Sequence, residues 1–140
     1  MVTSEPPQPI ASRNLRAGWW GLAVFAVLGT VLELFHATKA GFYLDAGQET
    51  TRLLLRLAHA HGTLLSLVNI AFALTARARP EAARPSASAA LLAALVLLPA
   101  GFFVGGLWAR AGDPGLGIIL VPVGAIALVA GTVIVARRVS

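Results

Sequence analysis

Two histidines two residues apart, His59 and His61, open an apolar run long enough to cross a bilayer, and Glu33 lies inside the run before it. Ionisable side chains are costly in hydrocarbon, so Glu and His within membrane-length segments mark a candidate functional site. His36 stands three residues after Glu33, and residues three apart on a helix are neighbours on one face. Glu33 and His59 fall at similar depth, roughly 10 Å outward from the centres of their runs at about 1.5 Å per residue. Glu33, His36 and one histidine of the pair are therefore expected to converge. Residues two apart on a helix project about 200° from one another, so His59 and His61 do not aim at one atom. His59 shares its stripe with Thr63, Ser66 and Asn69, a polar line expected to face the interior of a helix bundle. His61 shares a face with Leu64, Leu65, Val68 and Phe72.

Several chemistries suit this set. Imidazole and carboxylate can hold a single Zn or Cu ion, with His36, His59 and Glu33 as ligands and His61 close by. His36 and His59 can instead hold a b-type haem. A proton relay needs no cofactor: burial disfavours the charged forms of both carboxylate and imidazole, so such a pair can exchange a proton. The Glu33-x-x-His36 spacing is the one di-iron bundles use on paired helices, but it occurs once and lacks a second carboxylate-bearing helix. The alternative is a non-enzymatic accessory subunit of a membrane complex, in which the same polar groups only lock helices together. A nucleophilic enzyme is disfavoured, because cysteine is absent and no serine stands in a hydrolase motif. Without cysteine there is also no disulfide, thiolate metal site or covalently attached haem.

The elements that must position these residues follow from composition. Of the 140 residues, 57% are hydrophobic and 12% charged, where a soluble domain carries about 25% charged. Four apolar runs, at about 17–36, 53–77, 88–109 and 116–136, each match the ~20 helical residues that a bilayer core requires. An all-α integral membrane four-helix bundle is the expected fold, one domain over 15–140 preceded by a disordered tail over 1–14. The net charge of +5 comes from basic residues scattered between apolar runs, which fits membrane flanks and not nucleic-acid binding.

The basic residues also set orientation. Arg13, Arg16, Arg77, Arg79, Arg84, Arg137 and Arg138 fall on one side, and Lys39, Arg52, Arg56 and Arg110 on the other. Both termini are thus expected to be cytoplasmic, with the Glu/His cluster toward the outer, periplasmic side of a bacterial cytoplasmic membrane. Trp19 and Trp20 would anchor the inner interface, and Phe42, Tyr43 and Trp108 the outer one. The outer segments carry Asp45, Glu49, Arg52, Arg56, Arg110 and Asp113 around the mouth of the site, and Asp45-x-x-Gln48 is a candidate cap for the second helix. Gly101-x-x-x-Gly105 and Ala127-x-x-x-Gly131 predict close helix approach and association into a homo-oligomer or with a membrane partner. Pro99 and Pro122 predict kinks in the third and fourth helices.

The four-span layout with the run Arg52-Leu-Leu-Leu-Arg56-Leu-Ala-His59 resembles the MAPEG superfamily of small glutathione-using membrane enzymes. In that family an Arg-Ala-His-x-Asn core on the second helix binds the thiol cofactor, so the resemblance implies a membrane enzyme of that kind. Gly62 and Thr63 follow His61 where the asparagine would stand. His59-Ala-His61 also resembles the paired histidines of the haem–copper oxidase superfamily, whose catalytic subunit is several times larger. Neither resemblance spans enough of the chain to carry residue roles over.

Overall fold

The computed structural model describes residues 8–140. It is all-helical, with α1 over Gln8–Ala37, a short α2 over Gly41–Leu44, α3 over Glu49–Ala78, α4 over Pro85–Leu107 and α5 over Leu120–Val139. Single 3-10 turns at Ala46–Gln48, Pro80–Ala82 and Leu116–Ile119 lead into α3, α4 and α5. Four of these helices are long and apolar enough to cross a membrane. Their outward faces suit hydrocarbon: Val27 is 65% exposed and Ile126 70%, a burden for any chain surrounded by water.

The long helices pack in chain order: α1 on α3, α3 on α4, and α4 on α5. α1 touches α4 only slightly, so the bundle is open along that seam. One end carries both termini and the α3–α4 connection, and there Ala11, Phe72, Ala76, Ala87 and Leu91 form a core cluster. Leu65, Ala94, Leu95 and Leu98 fill the middle. At the opposite end, the loop end, Leu32, Tyr43 and Leu55 close the core.

Chain ends and connections depart from expectation in four places. α1 begins at Gln8 and buries Ala11 and Asn14, so the predicted disordered tail is helical over 8–14; residues 1–7 lie outside the described residues. α3 is preceded by Gln48 with no side-chain cap, and Asp45 makes no capping bond either. Pro122 sits in the first turn of α5, where helix N–H groups have no intrahelical partner, so it needs no kink. Pro99, by contrast, lies fully buried in the interior of α4. Tyr43 is 1% exposed and turned into the core, while Phe42 and Trp108 face outward as expected of interface anchors.

α1 ends in a Schellman motif. Lys39 takes the left-handed conformation (φ 50°) and donates its N–H to the His36 carbonyl at 3.1 Å, and Ala40 N–H reaches the Phe35 carbonyl at 3.0 Å. This reversal turns α2 back over the end of α1. Across the bundle, the small-residue pairs of α4 and α5 are consumed inside the chain. A methyl on Gly101 would meet Val121 Cγ2 at 2.8 Å, and one on Gly131 would meet Leu91 Cδ2 at 2.8 Å. Those glycines therefore close α4 on α5.

Candidate functional site

A cavity of ≈ 560 Å³ opens between α1 and α3 at the loop end, lined by Thr30, Glu33 and His36 of α1, Arg56 and His59 of α3, and Tyr43 of α2. Its shape depends on Gly29. The His59 ring lies against that glycine, and a Cβ there would stand 2.5 Å from His59 Cε1. With the ring admitted so close, His59 Nδ1 donates to the Phe25 carbonyl at 2.7 Å. A carbonyl only accepts, so His59 Nδ1 carries a proton. No hydrogen-bond partner of His59 Nε2 occurs among the described residues.

His36 is held differently. Its Nδ1 donates to the Leu32 carbonyl at 3.1 Å, and its Nε2 accepts from Arg56 Nη2 at 2.7 Å. Arginine only donates, so this imidazole is neutral and both its nitrogens are engaged. Arg52 donates to the Tyr43 carbonyl at 2.8 Å, fastening α2 to α3. The Tyr43 ring packs edge-on to His36 at 5.0 Å and tilted against Phe35 at 5.5 Å. Its buried hydroxyl has no hydrogen-bond partner among the described residues.

Glu33 and His59 line one cavity, as their equal depth predicts, but they are not hydrogen-bonded: His59 gives its N–H to Phe25, and Glu33 is exposed. Gly29, having no side chain, lets the His59 ring reach the Phe25 carbonyl, and the Glu33 carboxylate stays exposed. His61 points elsewhere. Its Nδ1 donates to the Leu57 carbonyl at 2.9 Å and its ring lies 4.9 Å from Phe102 of α4. Among the described residues, no three His, Asp or Glu side chains gather closely enough to hold a metal ion. The same geometry argues against a haem held between His36 and His59, because His36 Nε2 is occupied by Arg56.

Below His59, Ser66 and Asn69 are buried, Ser66 donating to the Gly62 carbonyl at 2.7 Å; the Thr63 hydroxyl is buried without a partner among the described residues. Of the outer residues, Arg110 and Asp113 form a tight turn by exchanging backbone hydrogen bonds at 2.9 Å, with Gly112 at φ 89° between them. Thr50 ties that turn to the start of α3 through the Gly112 carbonyl at 2.9 Å. Asp45, Glu49, Arg110 and Asp113 are exposed and do not line the cavity.

A second polar group, of which the sequence singles out only Asn69 and the charge of Arg13, joins α1, α3 and α4 at the termini end. Arg13 donates to Ser88 Oγ at 2.7 Å, Ser88 donates to Asn14 Oδ1, and Asn14 Nδ2 donates to Asn69 Oδ1 at 2.8 Å. Asn69 Nδ2 completes the chain on the carbonyls of Leu65 at 2.9 Å and Leu91 at 3.2 Å. Asn14, Asn69 and Ser88 are all 0% exposed. The side chains of Asn14, Asn69 and Ser88 each donate to an acceptor, so this buried group holds the three helices together. Comparison of the chain with protein-family models, with curated proteins and with solved structures gives no match.

Proposed function

We propose that the chain is an integral membrane protein with both termini in the cytoplasm, and that the α1–α3 cavity is a proton-handling site in its outer leaflet. The orientation is supported by the basic residues, seven at the termini end against four at the loop end. The site is supported by one observation above all: His59 Nε2 is the unpartnered imidazole nitrogen of a cavity that also holds Glu33. A proton arriving from the outer solution passes the exposed Glu33 carboxylate and is taken by His59 Nε2, whose Nδ1–H stays on Phe25 and fixes the ring. An imidazole can accept a proton on one ring nitrogen while the other keeps its hydrogen bond, which fits it to this role. Arg56, held on His36, supplies a fixed positive charge at the rim. The experiment is acidification of the outer solution around proteoliposomes of the histidine-labelled protein, read by nitrogen-15 NMR. Uptake of a proton at His59 Nε2, with the signal lost in His59→Gln and its pH dependence altered in Glu33→Gln, is the expected result. A His59 ring that takes up no proton overturns the reading.

A second reading has its own observation. The His59–Phe25 and Arg56–His36 bonds each join α3 to α1, so the cluster can serve as a helix lock in an accessory subunit. On that reading His59→Gln lowers stability, and His59 of the parent protein takes up no proton when the outer solution is acidified.

A further inference from the structure

The seam between α1 and α4 is the other place where the fold leaves room. Both helices pack on α3 and hardly on each other, which leaves a groove of ≈ 690 Å³ between Val24, Val27 and Val31 on one wall and Val96, Pro99 and Phe103 on the other. The groove runs along α1 from Ala17 to Val31, roughly 21 Å at helical rise. That is longer than the ~15 Å of one leaflet's hydrocarbon, half of a ~30 Å core.

At its Ala17 end the groove adjoins a second cavity of ≈ 570 Å³, lined by Ser12, Arg13, Arg16 and Trp20. Residues 13, 16, 17 and 20 recur at helical spacing and so share one face of α1. Arg13 spends one Nη2 donor on Ser88, and Arg16 makes no side-chain hydrogen bond among the described residues. Among the described residues, no acidic residue lines either cavity. An apolar trough that ends in two guanidinium groups and an exposed tryptophan has the polarity of a phospholipid: tail, anionic headgroup, interface.

We propose that this groove binds one anionic phospholipid, its acyl chain between α1 and α4 and its phosphate on Arg13 and Arg16. The occupant is a lipid and not a second copy of the chain, because a parallel copy has little negative charge to offer at that level. Among the described residues, Glu33, Asp45, Glu49 and Asp113 belong to the loop end, and Glu81, at the termini end, is 3.5 Å from Arg79 in an ion pair.

The inference rests on the reading of the chain as an integral membrane protein, which resistance to alkaline carbonate extraction tests separately. The probe is phosphatidylglycerol against phosphatidylcholine of identical acyl chains, each added to the detergent-purified full chain and followed by native mass spectrometry. Preferential retention of one phosphatidylglycerol is expected. Arg16→Gln is expected to weaken it about fivefold, as removal of one basic group worth ~1 kcal/mol implies. Ala100→Phe, which fills the groove, should abolish retention of the single lipid. The double variant Arg137→Gln/Arg138→Gln, on exposed α5 residues outside the groove, should leave it unchanged. Equal retention of both lipids, an unaltered preference in Arg16→Gln, an equal loss in the α5 variant, or a dimer cross-linked through the groove overturns the proposal. A carbonate-resistant chain with any of those outcomes retains the membrane reading and loses only the lipid site.

Discussion

Replacing Asn69 by leucine keeps much of the side chain's volume and deletes the middle of the hydrogen-bond chain that joins α1, α3 and α4. Asn14 then loses the acceptor of its Nδ2–H at a position with 0% exposure. A buried donor stripped of its partner costs about 1–3 kcal/mol. The Leu65 and Leu91 carbonyls are less affected, because each keeps its place in helical backbone hydrogen bonding. Asn69→Leu is therefore expected to destabilise by about 2 kcal/mol, and Asn14→Leu by a similar amount, since it orphans Asn69 Oδ1 and Ser88. In the double variant the two losses do not add. The coupling recovered should be about 1 kcal/mol, within the range measured for hydrogen bonds between membrane helices, ~0.6 on average and ~1.7 at most. Reversible unfolding in mixed micelles, titrated with denaturing detergent and followed by helicity and tryptophan fluorescence, measures all four corners of the cycle. Strict additivity of the two substitutions refutes the direct Asn14–Asn69 bond.

Three further outcomes follow from the same geometry. Gly29→Ala places a methyl group in the space of the His59 ring, so it should break the His59–Phe25 bond and cost about 1–3 kcal/mol; unchanged stability contradicts the packing described. Lys39→Gly relieves a left-handed residue at the end of α1 and should stabilise the fold by about 1 kcal/mol in the same unfolding titration. Tyr43→Phe removes a buried hydroxyl that has no partner among the described residues and should be neutral or stabilising by up to ~1 kcal/mol, whereas a loss above ~1 kcal/mol would show that the hydroxyl is bonded.

The four long helices were legible because length and apolarity are local properties, and nothing in the chain competes with them. Depth arithmetic also placed Glu33, His36 and His59 around one cavity, since rise per residue is nearly constant along a helix. What it could not give is direction within the cavity. His59 turns to a backbone carbonyl because Gly29 uncovers it, and no spacing rule marks which carbonyl a neighbouring helix will present. Arg56 was read as a charge at the mouth, yet it occupies the His36 nitrogen that a metal or haem reading needs. The Arg13–Ser88–Asn14–Asn69 chain escaped for another reason: its partners lie 55 to 75 residues apart, and polar residues near helix ends look alike whether they face solvent or a neighbour. The small residues of α4 and α5 were correctly read as places of close approach, but the approaching helix belongs to the same chain.

The central claim is that His59 keeps its proton on Nδ1 and presents an empty Nε2 to the cavity. Nitrogen-15 NMR of the histidine-labelled protein in lipid reads this directly, with His59→Gln assigning the resonances. The account predicts a neutral His59 imidazole protonated at Nδ1, with an Nε2 that accepts a proton when the outer solution is acidified. A His59 ring protonated at Nε2 while neutral, or one whose Nε2 gains no proton on acidification, contradicts it.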